Sequence, residues 1–209
     1  MVRWGQPKMM RFDNGHPWGT SASVPSPLAL WLVGLGIQLR FGRPRQSTDN
    51  AVVERAHGVL NGWVEPSPCA DVHHLRRTLD HFATLQRERY PLADGTTRLA
   101  KYPALTTGLR PYHPAADDRS WSLQRVVDYL ATFRFYRKGE VNGRFTLLNQ
   151  RYSVGRHYQR RTLAVQLDAG TQEWVVYDDD GRELRRFALT LTYAALTGPA
   201  LDLLQSDSS

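Results

Sequence analysis

Met9-Met10-Arg11-Phe12-Asp13-Asn14-Gly15 is a short apolar stretch that stops at a carboxylate and then at Asn-Gly, a dipeptide favoured in tight turns. Taken alone it is the end of a strand followed by a plain turn. Working outward from it, the proline- and serine-rich link from Ser21 to Pro27 leads into Leu28 to Leu35, long enough for a short helix. Gly36 supplies the stop, because glycine accepts the left-handed backbone there. Ile37, Leu39 and Phe41 then alternate with Gln38 and Arg40, the period of a strand that reaches Gly42-Arg43-Pro44. Thr48 or Asp49 is placed to cap the next helix, whose apolar positions Val52, Ala56, Val59, Leu60 and Trp63 follow helical spacing until Pro66 and Pro68 end it. The first 66 residues thus read strand, helix, strand, helix.

A third helix is predicted from Asp71 to Arg89, with Val72, Leu75, Leu79, Phe82 and Leu85 on one side, and Pro91 closes it. Residues 91–122 carry Pro103, Pro111, Pro114, Gly95 and Gly108 without sustained periodicity, and read as a linker or an irregular covering segment. Beyond them the period shifts towards two. Leu130 to Tyr136, Phe145 to Val154, Leu163 to Leu167, Trp174 with Val176, and Glu183 to Leu189 make about five strands, with Asp180-Gly181 as a hairpin turn. That suits a small all-β barrel. The expected organisation is a first domain at 1–90, a linker at 91–122, a small basic barrel at 123–190 and a tail at 191–209.

Composition narrows the function classes. At 41% hydrophobic and 22% charged over 209 residues, the chain has the balance of a globular protein, not of a disordered one. The longest apolar run, Leu28 to Ile37, is too short to cross a bilayer, and Met1 to Pro7 has no apolar signal core. A soluble, cytoplasmic protein without membrane partners is expected. The single cysteine, Cys69, excludes an intrachain disulfide and a cysteine-rich zinc cluster, which leaves carboxylates or histidines to hold any metal. Lys plus Arg is 27 against 20 Asp plus Glu, and only Lys8, Lys101 and Lys138 are lysines. Arginine favours forked contacts to phosphate. Between Phe133 and Arg161 stand Arg134, Arg137, Lys138, Arg144, Arg151, Arg156, Arg160 and Arg161, with Glu140 the one acid among them. Phe133, Phe135, Tyr136, Phe145, Tyr152 and Tyr158 are interleaved with these charges; such rings can stack on bases, but most are better explained as core.

Asp13 and Glu54 are each unremarkable alone. Their combination is not: an aspartate at a strand end, 40 intervening residues with a helix and a strand, then Gly42-Arg43-Pro44 and Asn50-Ala51-Val52-Val53-Glu54-Arg55-Ala56-His57 with Leu60 behind. These pieces resemble the integrase catalytic core of insertion-sequence transposases and retroviral-type integrases, the Asp-Asp-Glu superfamily. The resemblance implies an α/β fold, a partial ribonuclease-H-like core over residues 1–90 followed by a small SH3-like barrel. It implies that Asp13 is the second carboxylate of the triad and Glu54 the third, both catalytic and both ligands of Mg2+ or Mn2+. Two such ions need hard oxygen ligands and drive in-line displacement at phosphorus. Met1 to Phe12 contains no acid, so the first carboxylate is missing and the isolated chain is expected to be inactive.

By the same resemblance the chain would be the C-terminal portion of a transposase, acting in DNA transposition or integration and localised with the nucleoid when bound to DNA. Its expected partners are DNA and, as an oligomer, itself or an intact transposase. The DNA contacts expected are His57, Arg134, Arg144, Arg151, Arg156, Arg160 and Arg161. The alternative is a catalytically inactive DNA-binding or assembly remnant. Asp178-Asp179-Asp180 reads as a solvated hairpin tip, and His73, His74 and His81 lack the partners of a zinc site.

Overall fold

Strand β1 (Met9–Phe12) and strand β2 (Gln38–Phe41) lie parallel and in register, Met9 beside Gln38 and Phe12 beside Phe41, with helix α1 (Pro27–Gly34) between them in the chain. The computed structural model describes residues 1, 5–12, 24–42, 51–105 and 110–197, without the side chains of residues 52, 105 and 118. Further along come α2 (Ala51–Trp63), α3 (Val72–Glu88), the single turns α4 (Arg98–Lys101) and α5 (Asp117–Ser120), and α6 (Leu123–Ala131). Strands β3 (Arg134–Lys138), β4 (Arg144–Leu147), β5 (Gln150–Ser153), β6 (Thr162–Asp168), β7 (Glu173–Tyr177) and β8 (Glu183–Ala188) follow. By contacts the chain forms two units: Met1–Lys8 with Gly42–Pro114, and Met9–Phe41 with Ala115–Ser209.

In the second unit, α1 begins where Ser26 accepts the Ala29 N–H at 3.1 Å, with Pro27 in the first turn. A serine cap and a proline that lacks a donor nobody needs there both favour the start. It ends at Gly36 (φ 76), where the Gly36 N–H reaches Val33 O (2.8 Å) and the Ile37 N–H reaches Leu32 O (3.1 Å). That double closure satisfies two carbonyls the helix leaves open. Gly34, the last residue of α1, faces the Trp121 indole so closely that a β-carbon would stand 1.9 Å from it. Arg125 of α6 donates to the Gly34 carbonyl at 2.9 Å, so α1 and α6 are joined by packing and by hydrogen bonding.

One apolar cluster serves this whole unit. Leu30 and Val33 of α1 and Val126, Val127 and Leu130 of α6 pack with Phe135, Phe145, Leu147, Leu163, Val165, Leu167, Trp174 and Val176. The sheet order is β3-β6-β7-β8, antiparallel throughout, and β4 and β5 form a separate hairpin. Among the described residues these strands form a four-stranded sheet with a separate hairpin over its inner face, and no closed barrel is found. Two expectations change. Leu130 belongs to α6, because Leu123, Val126, Val127 and Leu130 recur at helical spacing and the last three are fully buried, so the strand starts only at Arg134. The run from Phe145 to Val154 folds back on itself at Leu148 (φ 48) and Asn149 (φ 61), two consecutive left-handed residues that make a type I′ turn between the paired Leu147 and Gln150.

Gly143 (φ 66) sits where the β3–β4 connection crosses the segment after β5, and its carbonyl accepts the Val154 N–H at 3.0 Å. The first unit is built on α2 and α3. Trp63 of α2 lies tilted against Phe82 at 5.8 Å and edge-on to Tyr90 at 5.2 Å, and Asp71 caps α3 by accepting the His74 N–H at 2.6 Å. Arg98 donates to the Gln86 carbonyl at 3.0 Å, and Arg110 donates to the Gln6 and Pro7 carbonyls. No described helix is long and apolar enough to cross a membrane.

Candidate nucleic-acid interface

The two expected carboxylates stand differently. Asp13 lies outside the described residues, as do Asn14, Gly15, Arg43, Pro44 and Asn50; the residue before it, Phe12, is buried at the end of β1. Glu54 is exposed in the first turn of α2, with His57 exposed one turn on. The closest grouping of three candidate metal ligands among the described residues is Asp178, Asp179 and Asp180, and it does not include Glu54.

The Asp178 side chain is already occupied by its own turn. One carboxylate oxygen accepts the Asp180 N–H at 3.1 Å and the Arg182 N–H at 2.8 Å. This is the behaviour of an aspartate shaping a hairpin. His74 is likewise engaged, its Nδ1 accepting the Ala70 N–H at 3.2 Å, while His81 lies edge-on to Phe82 at 5.4 Å. Among the described residues the Cys69 thiol reaches the Glu65 carbonyl, at 3.8 Å.

The basic segment is sorted by strand alternation. On the hairpin, Phe145 and Leu147 point into the core, so Arg144 and Thr146 point outward, and Arg151, opposite Thr146, shares that outer face. Arg144 and Arg151 are then diagonal neighbours across the pair, about 7–8 Å apart at the backbone. Arg156 lies in a 3-10 turn (Arg156–Tyr158), and Arg160 (φ 61) and Arg161 follow, held because the Arg160 N–H reaches Gly139 O at 2.7 Å and the Gly139 N–H reaches Arg161 O at 2.9 Å. A β-carbon on Gly139 would meet the Tyr158 carbonyl at 2.3 Å, so the loop lies directly on that glycine. All five of these arginines are exposed, and none makes an ion pair with a described carboxylate. Arg134, also exposed, lies over the Tyr177 ring at 5.6 Å.

Arg137 and Arg185 behave otherwise. Arg137 Nε donates to Thr146 O at 3.2 Å and its Nη1 to Tyr136 O at 2.7 Å, while Arg185 donates to Ser153 O at 3.1 Å. One arginine from each edge strand of the sheet thus ties the hairpin down, Arg137 to β4 and Arg185 to β5. Burial pushes the Arg137 guanidinium below its ordinary value. Neither role was anticipated, although the signal was present: Arg137 follows Phe135 by two residues and Arg185 precedes Phe187 by two, so period-two alternation puts both on the inner face. Elsewhere charge is neutralised, since Arg186 meets Asp168 (3.0 Å), Glu173 (3.6 Å) and Glu183 (2.8 Å).

The aromatic residues separate just as clearly. Phe135 and Phe145 are buried, and Tyr152 stacks on Phe145 at 5.4 Å and meets Phe187 at 5.0 Å, its hydroxyl pushed up by burial. Phe133 packs against Tyr129 at 5.0 Å, and Tyr158 is half-buried beside His157. Tyr136 alone of the six is exposed, at 62%. A comparison with known protein families finds none that matches this chain.

Proposed function

We propose that the chain is the DNA-holding C-terminal portion of an Asp-Asp-Glu transposase or integrase and acts in DNA transposition or integration. The observation that carries this reading is the set of exposed arginines that pair with no described carboxylate, Arg144 and Arg151 on the outer face of the hairpin and Arg156, Arg160 and Arg161 in the loop after it. Guanidinium groups left without acids are suited to phosphate, whose contacts release counterions. The parallel β1-α1-β2 unit adds support, because Asp13 directly follows β1 and Glu54 opens the helix after β2, the chain order of the superfamily's second and third carboxylates.

Fluorescence anisotropy with a random 20-base-pair duplex across a salt series tests the proposal. Each phosphate neutralised contributes about −0.9 to the slope of log K against log salt. Replacing Arg151, Arg156, Arg160 and Arg161 with alanine should therefore flatten that slope by about 3 to 4 and weaken binding to unrelated duplexes alike. Absence of binding at low salt, or an unchanged slope in the quadruple variant, would reject it.

A further inference from the structure

On β3, Arg134, Tyr136 and Lys138 alternate with the inward Phe135 and Arg137, so the three share the outer face of an edge strand. All three are exposed. Directly opposite Tyr136 on β6 is Ala164, and Ala164 in turn pairs with Tyr177 on β7. Ala164 is buried between the two tyrosines, and the Tyr177 ring is covered by the Arg134 guanidinium at 5.6 Å, whereas Tyr136 remains 62% exposed. The residues flanking Ala164 on this face of β6 are Thr162 and Gln166, opposite Lys138 and Arg134, so no carboxylate faces Tyr136 from the neighbouring strand.

An exposed ring with a cation two residues to either side matches the repeat of a nucleic-acid strand whose bases are unpaired: a π-face for a base and positive charge for the phosphates on both sides of it. Duplex DNA offers no such base, because its bases are stacked on one another. Stacking on an aromatic side chain is tolerant of sequence and independent of the phosphate contacts made elsewhere.

We propose that the outer face of β3 is a binding site for single-stranded DNA, in which Tyr136 stacks on one base while Arg134 and Lys138 contact the phosphates on either side. This rests on the reading of the chain as a DNA-binding protein and gives it a second, structurally separate contact. It places an unpaired segment, such as a frayed or displaced strand at a DNA end, on the sheet, while the duplex is held by the arginines of the hairpin and the following loop.

The test uses the full chain with fluorescein-labelled dT12, U12 and the random 20-base-pair duplex. Tyr136→Ala should weaken dT12 binding about tenfold, an effect of the size one stacked base contributes, and leave duplex affinity within about twofold. Tyr136→Phe should keep dT12 binding near that of the native chain, which separates stacking from any loss of fold. The inference is overturned if Tyr136→Ala leaves dT12 unchanged, if it weakens dT12 and duplex equally, or if Tyr136→Phe is as damaging as Tyr136→Ala. U12 bound more than tenfold tighter than dT12 would overturn the assignment to DNA. Native chain that binds the duplex but not dT12 would refute this inference while leaving the arginine-based reading intact, whereas duplex affinity indifferent to the quadruple arginine change, with dT12 still dependent on Tyr136, would do the reverse.

Discussion

Replacing Gly143 with alanine tests how the hairpin that carries Arg144 and Arg151 is seated. Two separate penalties meet at this residue. Its φ of 66° places alanine in the left-handed region, which costs about 1–2 kcal/mol for a residue with a β-carbon. That β-carbon would also stand 1.9 Å from the Gly155 carbonyl oxygen and 2.4 Å from the carbonyl carbon. Carbon–oxygen contacts lie near roughly 3.3 Å, so the two backbones must part by more than an ångström, which breaks the Val154 N–H to Gly143 O hydrogen bond of 3.0 Å. A lost hydrogen bond adds about 1 kcal/mol. The expected total is about 2–3 kcal/mol of lost stability, read from urea unfolding followed by tryptophan fluorescence.

Two controls divide that total. At Gly181 φ is 81° but a β-carbon meets nothing within 4 Å, so Gly181→Ala isolates the backbone penalty, about 1 kcal/mol. At Gly139 the β-carbon collides with the Tyr158 carbonyl at 2.3 Å without a left-handed φ, and isolates the collision. Gly143→Ala should exceed both. A Gly143→Ala protein no less stable than Gly181→Ala, or within about 0.5 kcal/mol of the native chain, would show that the loop does not cross as described.

Asp71→Ala removes the side chain that caps α3 through the His74 N–H and should cost about 1 kcal/mol, visible as faster hydrogen exchange at His74 while amides in the middle of α3 keep their protection; unchanged exchange at His74 would contradict the cap. Asp168 is held below its ordinary value of 3.8 first by the Arg186 hydrogen bond and then by the Thr171 and Gly170 N–H groups. A depressed carboxylate stabilises the fold at pH values above about 4 and loses that contribution as pH falls through its lower folded value. Asp168→Asn should therefore lower stability at neutral pH and remove part of the decline below pH 4, and a variant whose acid limb still matches the native chain would refute the assignment.

Most of the local structure can be read from residue spacing. Gly36 ends α1, Ile37-Leu39-Phe41 mark β2, and Asp71 opens α3 within a residue of the expected bound, because each signal is carried by neighbours in the chain. Leu130 misleads for the same reason: it fits both the helical series Leu123, Val126, Val127 and the alternation that leads to Phe133 and Phe135, and only burial of α6 against the sheet decides between them. Nothing local reveals that Leu30 and Val33 share a core with Trp174, a contact between residues far apart in sequence. Nor does a Leu148-Asn149 pair announce a type I′ turn, since leucine is disfavoured in the left-handed region that this turn imposes. For the candidate site, the surplus of arginine is plain from composition, but composition treats Arg137 and Arg151 alike. Strand direction makes one an internal tie and the other an outward charge.

The hairpin meets the edges of the sheet through the Arg137 and Arg185 side chains and the Phe145, Tyr152 and Phe187 rings. Backbone ladders depend little on which residues compose them, so a closed barrel inherits its closure from topology. Here the polar part of that attachment rests on two arginine side chains. A change at a single arginine removes the hydrogen bond that ties one flank of the hairpin while leaving the backbone pairing of the sheet and the buried Phe145 and Leu147 in place.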